Sequence, residues 1–292
     1  MTPAVATGSF THTTHKETSM TYILPNDGPF DWSKDKFPSK IPSWTYSQGN
    51  PVLKPVAAPK LAEAFKPKKA GTKSSHSIFV LDDSGSMRGC REATISGYNE
   101  YLDVQRQNTE IPTFISLYKF DGQSLSVVYN RVPVAEAPDL NKESYNPQGT
   151  TNLYDAIGGV LMAINTDLSR RKKSDRDSVM ICILTDGQEN SSRTFDSVNI
   201  KQMVEKSEGK NWGFMFLGAN IDAFATGAEI GFGAHNTLQY NTSSMEGTMR
   251  SASAMTTRLS TNFADGLDVA SAYAESGFTD AERNAAVTPD DK

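Results

Sequence analysis

The sequence has few cysteines and no long apolar run, the features of disulfide-stabilised and membrane-spanning proteins. It contains two cysteines, Cys90 and Cys182, among 292 residues, so we expect free thiols in a reducing compartment rather than a disulfide framework. No apolar run reaches the roughly 20 residues of a transmembrane helix. The first twenty residues lack the apolar segment of a secretory signal. These absences predict a cytoplasmic or virion-associated protein with no membrane partner.

The common catalytic patterns are also missing. The chain has no H-E-x-x-H, C-x-x-C or G-x-S-x-G motif. A phosphoryl-transfer enzyme with Asp82 or Asp83 as nucleophile would need paired carboxylates as D-x-D, but position 84 is a serine. For all four histidines we expect structural roles: His12, His15, His76 and His235. The sequence therefore predicts a protein that is not an enzyme and has no small-molecule substrate.

The charge is distributed unevenly. Residues 1–75 contain ten lysines, no arginine and five acidic residues, a net charge of +5, whereas the whole chain carries −5 and the remainder therefore −10. A basic segment of this kind can contact nucleic acid, an acidic partner or its own domain. Nucleic acid is disfavoured because the lysines are scattered and no recognised binding motif is present.

Residues 1–75 also contain nine prolines and several aromatic residues, among them Trp32 and Trp44. Prolines at this density block helix interiors and central strands, while a purely disordered tail would be poorer in aromatics. We therefore predict an extended arm that docks on its own domain or on a neighbour.

From residue 76 the pattern alternates between strands and helices, which predicts a doubly wound, mostly parallel six-stranded α/β sheet with helices on both faces. Asp121-Gly122 indicates a tight hairpin and hence an antiparallel edge pair. The predicted strands are 76–82, 113–120, 124–131, 178–185, 211–218 and 235–240, and the predicted helices are 89–108, 152–168, 196–208, 220–230 and 242–260. We expect Asn152, Asp196 and Asn220 to be N-caps. The predicted division is an arm (1–75), a domain (76–260) and an irregular tail (261–292) with a short helix near 279–286 that begins with a Thr279/Glu282 capping box.

The first predicted strand ends in alternating oxygen-bearing residues, Asp82, Ser84 and Ser86. Residues spaced by two point to one side of an extended chain. Carboxylate and hydroxyl oxygens suit Mg²⁺ or Mn²⁺, which usually keep some positions for water. The segment therefore predicts a metal cradle with an open face.

Two later segments add oxygens at equivalent places. Thr150 and Thr151 follow Gly149 at the start of a predicted helix, and Asp186 follows the buried strand 178–185 and precedes Gly187. Ligands of open α/β sheets bind outside the carboxyl ends of the strands. One such segment alone would only indicate a turn, but three in this order indicate a site.

These segments closely resemble the metal-ion-dependent adhesion site of the von Willebrand factor A family, which combines D-x-S-x-S with a distant Thr and a distant Asp. The resemblance covers roughly residues 75–260 and is closest to stand-alone bacterial and phage versions, as in the stretches 185–192, 212–223 and 278–283. It implies that the metal ligands are Asp82, Ser84, Ser86, Thr151 and Asp186. Thr150 is the less favoured threonine, and Asp83 falls at the variable position.

By this resemblance the chain is a metal-dependent adhesion or adaptor module, in which a partner protein offers an Asp or Glu to the metal. A second hypothesis is a structural component of a phage virion, anchored in a capsid, tail or baseplate through residues 1–75. A third interpretation needs no metal: backbone N–H groups would satisfy Asp82 and Asp186.

Overall fold

The computed structural model describes residues 74–290, and six strands in this part of the chain form one sheet. In chain order the strands are β1 (Ser75–Asp82), β2 (Thr113–Phe120), β3 (Leu125–Pro133), β4 (Ser178–Thr185), β5 (Trp212–Gly218) and β6 (Thr237–Gln239). Their spatial order is β3-β2-β1-β4-β5-β6. The predicted arm lies outside the described residues, apart from its last two positions.

The central strands are parallel and buried on both faces. All eight residues of β1 and all seven of β5 are buried, as expected for apolar runs in a sheet covered by helices on both sides. Only β3 is antiparallel to its neighbour. The hairpin predicted at Asp121-Gly122 joins it to β2, and the Asp121 carboxylate accepts the backbone N–H groups of Gln123 and Ser124 at 2.8 and 2.9 Å.

Residues 74–290 contain seven α-helices. They are α1 (Arg91–Gln107), α2 (Leu153–Ser169), α3 (Ser197–Glu208), α4 (Ala223–Glu229), α5 (Met245–Ala264), α6 (Val269–Ser276) and α7 (Asp280–Ala285). Helices α1, α5 and α6 contribute to the core on one face of the sheet, and α2, α3 and α4 to the core on the other. The predicted doubly wound, mostly parallel fold is therefore confirmed. None of the helices within residues 74–290 combines the length and apolarity that a membrane crossing requires.

Two of the three residues predicted as N-caps occupy that position. Asp196 caps α3 in a capping box with Asn199. Asn220 is not a cap: it has a φ of 54°, in the left-handed region that asparagine tolerates, and Asp222 caps α4 instead by accepting the N–H of Ala225. Asn152 is the N-cap residue of α2, but its side chain makes no cap hydrogen bond. Glu189 and Ser192, from another loop, accept the first N–H groups of the helix instead.

The C-terminal segment is more regular than the sequence indicated. The predicted short helix is present as α7, with its Thr279/Glu282 capping box. Helix α5 continues to Ala264, and α6 was not predicted. Tyr273 of α6 is buried, and its hydroxyl accepts the backbone N–H of Phe214 at 2.5 Å. This contact with β5 depends on tertiary packing, which local periodicity does not report. The division of the chain into arm, domain and tail stays a prediction.

Candidate metal centre

The candidate site lies at the carboxyl edge of the two central strands. Asp82 is the last residue of β1, and Asp186 follows the last residue of β4. Because β1 and β4 are parallel neighbours in register, their ends meet at the same edge. The Thr185 hydroxyl donates a hydrogen bond of 2.6 Å to Asp82 Oδ2, which joins the two strand ends directly.

The D-x-S-x-S segment folds back over this edge. Asp82 Oδ1 accepts the backbone N–H of Ser84 at 2.8 Å. The hydroxyls of Ser84 and Ser86 are 3.0 Å apart, and the Ser86 hydroxyl donates to Asp186 Oδ1 at 2.5 Å. A continuous series of contacts therefore connects Asp82, Ser84, Ser86 and Asp186.

Thr151 reaches the same point from the long connection between β3 and α2. A Cβ added at Gly187 would lie 3.1 Å from Thr151 Oγ1 and 3.4 Å from Ser86 Oγ. The space beside Gly187 is therefore lined by both hydroxyls, and a side chain there would partly fill it. The structure brings all five candidate ligands together, and Gly187 keeps the centre of the cluster accessible.

Thr150 and Asp83 face other surroundings. Thr150 is exposed and its hydroxyl packs against Gly122, whereas Thr151 is buried. Asp83 forms an ion pair of 2.6 Å with Lys119. Thr150 and Asp83, the sequence neighbours of predicted ligands, therefore contact the β2–β3 hairpin and Lys119 of β2 instead of the cluster.

The two site carboxylates are buried without a compensating cation. Burial raises the pKa of Asp82 to about 6, against the opposing hydrogen bonds from Thr185 and Ser84. Burial also raises the pKa of Asp186, against the hydrogen bond from Ser86. Within residues 74–290, neither carboxylate forms an ion pair with a Lys, Arg or His. A bound cation would favour the ionised form of both groups.

The donor set fits a hard divalent cation. Two carboxylates and three hydroxyls supply only oxygen, the ligand that Mg²⁺ and Mn²⁺ prefer. No group of three or more His, Cys, Asp or Glu side chains suited to a metal occurs in the described part of the chain, so a thiolate- or imidazole-rich zinc site is not built there. Ser86 is exposed while the other four residues are buried, which leaves the cluster open on the Ser86 side.

Three residues that the sequence analysis did not assign to the site hold its loops together. Asn190 Oδ1 accepts the backbone N–H of Thr151 at 3.0 Å, and Glu189 Oε2 accepts that of Tyr154 at 3.0 Å. Asp155 accepts three backbone N–H groups from residues 193–195, each at 2.9 Å. The polar run after Gly187 was visible in the sequence, but nothing in it indicates which backbone it binds.

Comparison with known proteins supports the fold alone. No protein-family model matches this chain, and no curated protein matches it in sequence. Among solved structures, the pilus adhesin SpaC from Lactobacillus rhamnosus GG is similar at a TM-score of 0.50 and 13% identity, over 66% of this chain and 31% of that one.

Two further solved structures are similar at lower TM-scores. A von Willebrand factor type A structure from Catenulispora acidiphila has a TM-score of 0.44 and 13% identity over 64% of this chain and 43% of that one. The manganese-loaded TRAP protein of Plasmodium vivax has a TM-score of 0.42 and 14% identity, over 60% of this chain and 71% of that one. This chain thus spans less than half the length of the adhesin and of the Catenulispora protein. The sheet order and the helices on both faces are those of an open, mostly parallel α/β fold, while the resemblance to the von Willebrand factor A family and to its stand-alone bacterial and phage versions stays a prediction.

Proposed function

We propose that this domain binds another protein through a divalent cation, Mg²⁺ or Mn²⁺, held by Asp82, Ser84, Ser86, Thr151 and Asp186. The observation that carries the proposal is the convergence of two buried, uncompensated carboxylates with three hydroxyls at one exposed point of the sheet edge. Buried charges are normally paired or coordinate metals, and in this cluster no basic side chain supplies the pairing.

The residues of the cluster have different roles in the proposed site. Asp82 is oriented by two hydrogen bonds, from Ser84 N–H and the Thr185 hydroxyl, so its carboxylate is held in one position before any ligand arrives. Ser86 and Asp186 form the open side. When bound, the cation would supply a coordination position for an anionic oxygen, which in a protein partner is an Asp or Glu carboxylate. The site's own two carboxylates would formally balance the charge of a divalent cation, so the partner's oxygen would be bound as a further ligand of the cation.

We further propose that the site binds rather than catalyses. The D-x-S-x-S segment offers one carboxylate where an aspartyl-phosphate mechanism needs a second. Asp82 has no exposed surface, which leaves it poorly placed for in-line attack on a substrate. Its raised pKa is accounted for by burial, so this shift needs no acid–base role to explain it.

The proposal is tested by capturing partners from native lysate or particles. The bait is the full chain as wild type or as Asp82→Ala, with Mg²⁺ or with EDTA. We expect a partner that is retained only by the wild type and only with Mg²⁺. Glutamate and aspartate peptides added as competitors should release it. A partner retained under all four conditions would overturn the metal-dependent function.

A second candidate function is a structural role in a phage virion, in which residues 1–75 anchor the chain. The basic, Pro-rich and aromatic-bearing composition of that segment favours it, and the segment lies almost wholly outside the described residues. Deleting residues 1–73 separates the two functions. Loss of assembly with retained metal-dependent capture would support the anchor, and unchanged assembly would contradict it.

A further inference from the structure

Helix α2 begins without a capping side chain of its own. Asn152, directly before it, makes no cap hydrogen bond, although the first N–H groups of a helix need acceptors. The acceptors come from the loop between β4 and α3, about 35 residues further along the chain. Glu189 Oε2 accepts the N–H of Tyr154 and the Ser192 hydroxyl accepts the N–H of Asp155, both at 3.0 Å.

The same loop grips the backbone of Thr151 from both sides. Asn190 Oδ1 accepts the Thr151 N–H at 3.0 Å. The Thr151 carbonyl accepts the backbone N–H groups of Asn190 and Ser191, both at 3.1 Å. Both polar backbone groups of a candidate ligand are therefore held by residues that follow Asp186 by four and five positions.

Hydrogen bonds run in both directions between the loop and the start of α2, and others lie within the loop itself. Glu189 Oε1 also accepts the N–H groups of Ser191 and Ser192 at 2.9 and 2.7 Å, which folds its own loop. Asp155 of α2 accepts the N–H groups of Arg193, Thr194 and Phe195. The start of α2 and the loop after β4 therefore form one hydrogen-bonded unit, which we call the clasp (residues 151–155 and 189–195).

We propose that Asn190 is a positioning residue of the metal centre, which sets the affinity for the cation by holding Thr151 beside Gly187 before the cation binds. This inference rests on the proposed function. Asn190 touches no candidate ligand atom; it acts through the Thr151 backbone. Without it, ordering Thr151 would be part of the cost of binding, and changes to such outer contacts typically weaken metal affinity about 10–100-fold.

The test compares two amide side chains that each accept one backbone N–H at the carboxyl edge of the sheet. Asn190 accepts from Thr151 at 3.0 Å, and Gln239 accepts from Ala223 at 2.9 Å. Gln239 also donates to the Ile221 carbonyl at 2.8 Å, so Gln239→Ala removes at least as much local structure. Mn²⁺ affinity is measured by titration calorimetry, and hydrogen exchange of the Thr151 amide is measured in metal-free protein.

We expect Asn190→Ala to bind Mn²⁺ about tenfold more weakly and to lose protection of the Thr151 amide. Gln239→Ala should bind Mn²⁺ within about twofold of wild type, below the effect of an outer contact. Asn190→Asp keeps an oxygen acceptor and should restore the Thr151 protection. Ser192→Ala, which frees the Asp155 amide but leaves Asn190 in place, should keep most of the Thr151 protection.

Wild-type affinity in Asn190→Ala would overturn the inference while leaving the proposed function intact. Equal weakening in Gln239→Ala would also overturn it, because the effect would then follow general loosening of the edge. A wild-type protein that binds no Mn²⁺ would overturn the proposed function itself, and this inference with it.

Discussion

Each end of the central sheet buries an aspartate, and the two ends differ in what faces it. At the amino edge, Asp177 lies directly before β4 with a fully buried side chain. Arg131 donates to both of its oxygens at 2.8 and 2.9 Å, Arg171 donates at 2.9 Å, and the Ser74 hydroxyl donates as well. Burial alone would raise the pKa of Asp177, but the hydrogen bonds from Arg131 and Ser74 lower it overall.

At the carboxyl edge, Asp82 is equally buried but meets only hydroxyls and a backbone N–H. Burial raises its pKa to about 6. At the amino edge, Asp177 is thus compensated by two arginines. At the carboxyl edge, Lys119 pairs with Asp83, and among the described residues no basic side chain forms an ion pair with Asp82 or Asp186. The difference separates a structural ion pair from a site whose missing charge a ligand can supply.

The backbone of Arg131, at the amino edge, also has an unusual conformation. Arg131 has a φ of 47°, unusual for a residue with a side chain, and it lies near an irregularity in the β2–β3 pairing. Its guanidinium covers the Phe114 ring at 3.7 Å while binding Asp177. The Arg131 backbone N–H donates to the Ser116 hydroxyl at 2.8 Å at the same place.

The largest expected effect comes from removing the complete pair. Asp177→Ala should lower the free energy of unfolding by about 3 kcal/mol, since breaking a buried pair leaves charges uncompensated. The value is at the low end for such pairs because Arg131 and Arg171 are about a quarter and a fifth exposed. Urea unfolding of the variant and the wild type measures this difference in the free energy of unfolding. Mn²⁺ affinity should not change, because the eight residues of β1 separate the two edges by roughly 25 Å.

The converse change is Asp82→Ala at the incomplete edge. We expect Mn²⁺ affinity to fall more than about 100-fold, beyond the range for outer contacts, while metal-free stability changes by about 1 kcal/mol or less. The lost hydrogen bonds and the relieved burial of a carboxylate oppose each other. Calorimetry and urea unfolding in EDTA measure the two quantities. A stability loss as large as that of Asp177→Ala would show that both edges are structural.

In metal-free protein, the aspartates at the two edges should make opposite contributions to the pH dependence of the free energy of unfolding. The pKa of Asp82 is raised, so its contribution to stability is complete below its usual value of 3.8 and is lost as the pH rises toward about 6. The pKa of Asp177 is lowered, so its contribution is present above the usual value and is lost in acid below it.

The measurement is urea unfolding in EDTA between pH 4 and 7. Wild type should lose stability across this window and Asp82→Asn should lose less, since the amide does not titrate. In the same window Mn²⁺ affinity should rise with pH, because protons compete for Asp82. An identical pH profile for Asp82→Asn would contradict the raised pKa.

The smallest effects should distinguish the two adjacent threonines. Thr151→Ala removes a hydroxyl beside Gly187 and should weaken Mn²⁺ binding about tenfold, which corresponds to about 1.4 kcal/mol of binding free energy. Thr150→Ala alters an exposed residue on the hairpin side and should leave the affinity unchanged. Equal effects of the two variants would contradict the assignment of Thr151.

The sequence alone determined the fold class and the identity of the candidate ligands. The apolar runs of β1, β4 and β5 indicated buried parallel strands because such strands need no polar face, and strands β2 and β4 were predicted with the ends they have. The ligand set was implied by the resemblance to the von Willebrand factor A family, and the position of each ligand segment at a strand end or helix start is consistent with it, because an open sheet brings such ends to one edge.

Tertiary structure decided what surrounds those ligands. The basic partners Lys119 of Asp83 and Arg131 of Asp177 are 36 and 46 positions away in the chain, and Asp82 meets the Thr185 hydroxyl 103 positions away. No local pattern reports contacts at these separations. For the same reason the sequence indicated Asn152 as the N-cap residue of α2, but not that Glu189 and Ser192 of a distant loop accept the first N–H groups of the helix in place of its side chain. Local chemistry and periodicity specify elements, but charge compensation and loop positioning arise only when the sheet brings distant segments within hydrogen-bond distance.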